Sequence, residues 1–240
     1  MKPHLILLSI QVVAALLFAE SAARITHIEG RAFLIKNGSS TARPARLNMP
    51  LQVGDRLSTD PESLVEITYL HGAIMRLGEL SNCSIQKAEK SSVSTSVPRG
   101  NVWVNMKKLS SVGRDFDVTT PTAVAAIRGT IFQMQALPDS SADVAVFDGK
   151  VAVGLSEDGR DRVKKTGKNS YGAPHEVPGP EEVPGPYEVT LEQWKTIVAG
   201  QRIRVRADGK FATESFDLQK QLDAFIEKNR AFDAQIKGAR

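Results

Sequence analysis

Between residues 25 and 155 the chain alternates short apolar runs with polar turn signals, and the apolar positions recur with a period close to two. Residues 64–70 are rich in β-branched and aromatic side chains, His71-Gly72 follows as a turn, and residues 73–77 are again largely apolar. Two such runs joined by a tight turn predict a β-hairpin. Turns recur about every eight to twelve residues, which is typical of an all-β sandwich, roll or solenoid. The pattern therefore predicts a single all-β domain over residues 25–155.

Later strands are predicted at residues 83–87, 92–97 and 102–105. The last two are separated by Arg99-Gly100-Asn101, which predicts a turn. In the strand that follows this turn, Trp103 is predicted to face away from its two valine neighbours.

The segment at residues 120–127 fits two local structures. Thr120 could cap a helix with Pro121 in its first turn. Three β-branched side chains favour an extended or turn-like path instead. In either case, the small residues of this segment and Gly129 would let another backbone approach closely.

The composition changes at residues 156–191, which contain a short repeat, EVPGPEEVPGPYEV. Proline removes backbone donors and fixes φ, so the sequence predicts an extended insertion or linker, with a solvated basic loop at residues 160–168. Residues 192–215 then predict the closing β-hairpin of the same domain. Its arginines Arg202, Arg204 and Arg206 are predicted to line the exposed face of an edge strand. There they either protect the edge from aggregation or form a basic contact surface.

Residues 216–237 predict a C-terminal amphipathic helix, with Asp217 near its start. Its apolar stripe includes Leu222, Phe225 and Phe232 and also fits two heptads, with Asn229 as a polar member. Two heptads are too few to indicate a coiled coil. The stripe therefore predicts packing against the chain's own β domain or docking to a partner.

The N-terminal residues 1–23 have the pattern of a secretory signal peptide. Lys2 precedes a mainly apolar run at residues 5–18, and Ser21-Ala22-Ala23 offers a cleavage site after Ala23. The alternative is an uncleaved anchor, but the run is short for a membrane span. We expect a periplasmic or secreted bacterial protein without a stable membrane span after cleavage.

Charge and motif content indicate neither a nucleic-acid partner nor a catalytic or metal site. The formal net charge is +4, with basic and acidic residues interspersed, so no nucleic-acid partner is expected. The histidines are scattered, and no catalytic, cofactor or metal-binding motif is present. The single cysteine, Cys83, excludes an intrachain disulfide and is predicted to be half-buried and unreactive.

The stretch DFDVTTPTAVAAIRGTIFQM, residues 115–134, resembles the signature of the FecR domain, a bacterial extracytoplasmic module. A second match is the Gly-Asp turn within LQVGDRLSTD, residues 51–60, and FDGKVAV at residues 147–153 matches a closing hairpin. The signature residues are Thr120, Pro121, Thr122, Ala123, Arg128, Gly129, Thr130 and Phe132, together with Gly54 and Asp55. The resemblance covers about residues 25–155. Arg128 is expected either to tie two strands together or to contact a ligand.

The resemblance implies a binding or signalling module without enzymatic activity. FecR-type regulators relay a signal from an outer-membrane transporter to a sigma factor, through a cytoplasmic anti-sigma segment and a membrane span. This sequence has a signal peptide where those parts would be. What carries over is an extracytoplasmic module in envelope sensing, signalling or assembly, with an envelope protein as its expected partner.

The alternative is a carbohydrate- or peptidoglycan-binding module. Such modules stack exposed aromatic side chains on sugars. The candidates here are Tyr69, Trp103, Tyr171, Tyr187 and Trp194.

Overall fold

The structure is a computed structural model that describes residues 23–70, 72–89, 92–106, 115–168, 194–220 and 223–238. The predicted signal peptide lies outside the described residues except for Ala23, which is buried in the first strand. The elements are β1 (Ala23–Glu29), β2 (Ala32–Ile35), β3 (Arg43–Pro44), β4 (Pro50–Leu51), β5 (Arg56–Thr59), β6 (Leu64–Tyr69), β7 (Ile74–Leu77), β8 (Asn82–Ala88), β9 (Ser92–Asn105), β10 (Asp115–Thr119), β11 (Ala123–Ile127), β12 (Ile131–Ala136), β13 (Ala142–Asp148), β14 (Lys150–Leu155), α1 (Glu157–Lys168), β15 (Lys195–Val198), β16 (Gln201–Val205), β17 (Phe211–Ser215) and α2 (Ala224–Gly238).

The strands form two sheets that share one strand. Sheet A has the order β4-β1-β6-β7-β9-β12-β13-β16-β17. Sheet B has the order β3-β2-β5-β8-β9-β10-β11-β14-β15. Neighbouring strands are antiparallel except β9 and β10. The predicted all-β class and the hairpin of β6 and β7 are confirmed.

The predicted turn at Arg99-Gly100-Asn101 is wrong, because β9 runs through it as one strand of 14 residues. Its first part pairs with β8 and β10 in sheet B, and its second part pairs with β7 and β12 in sheet A. Gly100 has φ 101°, and a Cβ there would lie 2.0 Å from the Ser81 hydroxyl. Glycine therefore permits a bend that carries the strand from one sheet to the other.

The main core lies between the sheets and follows from the alternation of inward and outward side chains. Phe116, Phe132 and Met75 are fully buried in it. Cys83 is also buried, not half-buried as predicted. Burial raises the pKa of its thiol to about 12, so the thiol remains protonated and unreactive at neutral pH.

The C-terminal helix packs on the outer face of sheet A, but it begins at Ala224 and not at Phe216. Asp223, not Asp217, caps it, because its carboxylate accepts a hydrogen bond from the Ile226 amide at 2.7 Å. Ile226 is buried with Trp103 and Phe147 in a second apolar cluster. The helix therefore packs against its own domain.

A buried ionic network fixes this helix. Arg76 is fully buried and donates to Glu66 at 2.8 Å and to Asp233 at 2.7 Å. Asp233 also accepts the indole N–H of Trp103 at 3.0 Å. Asn229 is buried beside Arg76, with 3.4 Å between its side-chain oxygen and Nη1 of the arginine. The most buried polar contacts of α2 are thus made by Asn229 and Asp233.

The candidate partner residues of this helix have contacts inside the domain. Phe225 is half-buried, and its ring would lie 2.8 Å from a Cβ at Gly78. Phe232 packs against His27 and lies 5.2 Å from the guanidinium carbon of Arg76. Leu222 lies outside the described residues.

Helix α1 occupies residues that the sequence predicts to be a loop. Ser156 caps it through a hydrogen bond from the Gly159 amide to its hydroxyl at 3.1 Å. Glu157 and Asp158 lie in the first turn, where the helix dipole favours carboxylates. The proline-rich repeat that follows lies outside the described residues.

The arginine-rich strand β16 is not an edge strand, because it pairs with β13 on one side and β17 on the other. Arg204 makes two 2.6 Å hydrogen bonds to Asp143, and Arg202 lies 3.7 Å from Glu214. Arg206 follows the strand and is exposed. Two of the three arginines are thus neutralised by neighbouring strands. Among the described residues, no helix has both the length and the apolar character needed to cross a membrane.

Candidate binding groove on sheet B

The outer face of sheet B bears a row of small and polar side chains that the strand register brings together. Asp117 on β10 pairs with Ser94 on one side and with Ala126 on the other. Ala126 pairs with Ala152, which in turn pairs with Thr196. All five side chains point away from the core, because their strand neighbours are buried in it.

A second row lies two residues further along these strands. It places Ser96, Thr119, Val124 and Gly154 side by side. The ring of Trp194 lies over Gly154, about 3.0 Å from the position that a Cβ would take. Because the side chains of both rows are small, the sheet surface between bulkier neighbours forms a groove.

The groove comprises two depressions that meet at Asp117. One has a volume of about 430 Å³ and is lined by Ala126, Ala152 and Thr196. The other has a volume of about 520 Å³ and extends over Thr119 and Val124 to Trp194 and the start of α1. Because Asp117 lines both depressions, they form one site, the sheet B groove.

Asp117 is the central ionisable group of the groove. It is half-buried and has no hydrogen-bond or ion-pair partner among the described residues. Burial raises the pKa of its carboxyl above the ordinary value, the negative charge of Asp115 adds to this rise, and Lys87 partly offsets it. The fold thus holds a carboxylate in a place that disfavours its charge.

This placement predicts that Asp117→Asn stabilises the fold at neutral pH. The pKa of Asp117 in the folded protein lies above its unfolded-state value of about 3.9. The stability that the protonated carboxyl contributes is therefore fully present below about pH 3.9, and it is lost as the pH rises through the folded-state pKa. At pH 7 the neutral amide avoids the cost of the buried charge. Urea unfolding should show a gain in the free energy of unfolding at pH 7 that disappears near pH 3. Exposed Asp161→Asn is the control and should show no gain, and a less stable Asp117→Asn at pH 7 would contradict the prediction.

The ends of the groove carry charges of both signs. At one end Arg128, which is 73% exposed, pairs with Asp115 at 2.7 Å, and Lys150 lies beside them. At the other end lie Glu157 and Asp158 of α1. The ion pair ties the end of β11 to β10, and Arg128 also lines the groove.

The first half of the signature motif builds the turn between β10 and β11. The extended path predicted for this segment is confirmed, since Ala123 begins β11. Thr120 closes the turn, because its hydroxyl accepts from the Ala123 amide at 3.0 Å and its amide donates to the Ala123 carbonyl at 2.8 Å. The Pro121 carbonyl accepts from the Ser156 hydroxyl at 2.9 Å, and the Thr122 carbonyl accepts from the Ser156 amide at 3.0 Å. The motif therefore fixes β10, β11 and the start of α1 relative to one another.

The remaining motif residues lie outside the groove floor. Gly129 adopts φ 64° after Arg128, and Thr130 and Phe132 are buried. Gly54 has φ 88° in a turn whose buried Asp55 accepts hydrogen bonds from the amides of Asn37 and Gln52. These residues build the fold that carries the groove.

The aromatic residues expected for sugar stacking are mostly unavailable. Trp103 and Tyr69 are buried, so their prediction as exposed stacking residues is wrong. Tyr171 and Tyr187 lie outside the described residues. Trp194 is half-buried and lines the groove. Within the described ranges, no group of three or more His, Cys, Asp or Glu residues could hold a metal ion.

The sequence did not reveal the groove, although a signal for it is present. Ala126, Ala152 and Gly154 are small residues at outward positions of two adjacent strands, β11 and β14. Their alignment depends on the pairing of β11 with β14, which the period of the pattern does not specify.

Comparison with known proteins finds one similar family and similar solved structures. The family model described as FecR protein matches residues 55–152. No curated protein matches the chain. Two crystal structures of a candidate anti-sigma factor from Parabacteroides distasonis are similar at 17% identity and a TM-score of 0.48, covering 69% of this chain and 61% of that protein. The chain thus spans about three fifths of the length of that protein. Residues 55–152 are thus similar to the FecR domain, in agreement with the resemblance of the sequence motifs.

Proposed function

We propose that this chain is a non-enzymatic binding module that acts outside the cytoplasm in envelope sensing, signalling or assembly. The match of residues 55–152 to the FecR family model supports a relation to regulatory proteins, and the signal-peptide pattern of residues 1–23 supports an extracytoplasmic location. In this proposal the sheet B groove contacts a protein partner of the envelope.

The observation that carries the proposal is the difference between the two outer faces. The outer face of sheet A is covered by α2, which buries Trp103 and Phe147 beneath it. Among the described residues, no such helix crosses the central strands of the corresponding face of sheet B, which carries the groove instead. Small side chains there leave the space that a partner's side chains need. A half-buried carboxylate, which has no hydrogen-bond or ion-pair partner in the described part of the chain, gives that space a polar anchor.

Site-specific photo-crosslinking in the bacterial envelope tests this proposal. A photoreactive amino acid is placed at Thr119 or Thr196 in the groove, and at exposed Glu227 on α2 as the matched control. We expect both groove positions to crosslink one envelope protein that the α2 position does not. Crosslinks only from Glu227 would contradict the proposal. Recovery of cell-wall fragments alone would favour glycan binding, with Trp194 as the stacking residue to replace.

A further inference from the structure

The half of the groove next to α1 is acidic, although the whole chain has a formal net charge of +4. Three carboxylates line it, those of Asp117, Glu157 and Asp158. The one cationic side chain among the residues lining this half is Arg160. The local charge is thus opposite in sign to that of the protein.

These carboxylates have no compensating partners among the described residues. None of the three is in an ion pair or accepts a side-chain hydrogen bond there, whereas Asp115 nearby is paired with Arg128. The first turn of α1 favours Glu157 and Asp158, whereas the half-buried charge of Asp117 is offset in part by Lys87. A cation in this half would make favourable contacts with all three groups.

The same half of the groove is also lined by an aromatic ring. Trp194 packs over Gly154 and is half-buried at the border of this half of the groove. A planar guanidinium can stack on an indole ring while its N–H groups bind carboxylates, which an ammonium group does less well. The floor of Thr119 and Val124 leaves room for the methylene stem of such a side chain.

From this arrangement we infer that the partner presents a basic segment whose arginine side chain lies between Asp117, the first turn of α1 and Trp194. The inference rests on the proposed function and adds the chemistry of the partner. Other charged groups also face Asp117 and set the background field: Asp115 on its own strand, Lys87 on β8, Arg128 after β11 and Lys150 on β14. Of these, Arg128 and Lys150 belong to the other half of the groove.

Titration of the ¹⁵N-labelled protein with two capped pentapeptides, Gly-Ala-Arg-Ala-Gly and Gly-Ala-Glu-Ala-Gly, tests the inference at low ionic strength. The arginine peptide should shift the amide signals of Thr119, Val124 and Gly154, and the glutamate peptide should not. The double variant Asp117→Asn, Glu157→Gln should weaken this response at least about tenfold, since it removes two of the three charges. Asp161→Asn, which removes an exposed charge from α1 outside the groove, should retain it.

Equal shifts with both peptides, no shift with either, or an undiminished response of the double variant would overturn the inference. These outcomes are distinguishable from failure of the proposed function. A protein crosslinked from Thr119 and Thr196 would still establish the groove as a contact surface, with a partner of different chemistry. A folded double variant is expected because its carboxylates hold no other part of the described structure, and its amide spectrum verifies this.

Discussion

Replacing Asp233 with alanine is expected to lower the free energy of unfolding by about 3 kcal/mol, because the change leaves a buried arginine without one of its two carboxylates. Arg76 is completely buried and is bound on one side by Glu66 and on the other by Asp233. The same carboxylate accepts the indole N–H of Trp103, so the variant also leaves a buried donor without its acceptor. Helix α2 would lose the contact that joins it to both β7 and β9.

Urea unfolding monitored by circular dichroism measures this loss, and tryptophan fluorescence follows the exposure of Trp103 together with that of Trp194. Gln235→Ala on the exposed side of the same helix is the control and should change stability by less than about 0.5 kcal/mol. Equal stability of the two variants would show that the ionic network does not hold α2 in place. Loss of α2 from sheet A should also promote self-association, since it uncovers Trp103, Ile131 and Phe147.

The second large effect is expected for Asp55→Ala, which should cost about 2–3 kcal/mol. The carboxylate of Asp55 is buried and accepts three hydrogen bonds, from Lys36 at 2.5 Å and from the backbone amides of Asn37 and Gln52 at 2.9 Å each. Alanine leaves both backbone donors without this acceptor and removes the partner of the lysine. The turn before β5 would then lose the group that organises it.

Thermal and urea unfolding of Asp55→Ala measure the effect. The control is Asp60→Ala, which removes the partner of Arg31, whose side chain is 78% exposed, and should cost less than about 1 kcal/mol. A cost for Asp55→Ala no larger than that of the control would mean that the signature aspartate has a role other than holding this turn.

The all-β class, the β6–β7 hairpin and the β10–β11 path could be predicted from the sequence because each depends on local signals. Alternation, turn residues and β-branched content act over a few neighbouring residues. The same local signals gave a false turn at Gly100, because a glycine that bends a continuous strand has the same sequence signature as one that ends it. Only the pairing of β9 with strands of both sheets distinguishes the two cases.

The helices show a different limit of sequence patterns. An apolar stripe predicts which face of α2 is buried, but the deepest polar contacts are made by Asn229 and Asp233, because a buried arginine and an indole lie opposite them. The arginine and the indole belong to β7 and β9, which are more than 100 residues away from α2 in the chain. Helix α1 was not predicted because its polar, basic run indicated a solvated loop, while its cap, Ser156, is fixed by the carbonyl of Pro121.

The groove could not be predicted because it is a property of register. Ala125 and Ala126 are equally small, but Ala125 faces the core and Ala126 faces the groove. The row containing Asp117 and Ala126 forms only when the parallel pairing of β9 with β10 is combined with the antiparallel pairings that follow it. Non-local pairing of this kind leaves no periodic signal in the sequence.

In the proposed function, the sheet B groove, and not the α2 face, contacts the partner. The most direct test is the affinity of the crosslinked envelope protein for the full chain carrying Ala126→Trp, which fills the floor of the groove, or Glu227→Trp, which adds the same bulk to the exposed side of α2. Both positions face outward, so both variants should fold. We expect Ala126→Trp to weaken binding at least about tenfold and Glu227→Trp to leave it unchanged. Unchanged affinity for Ala126→Trp together with a loss for Glu227→Trp would contradict the account.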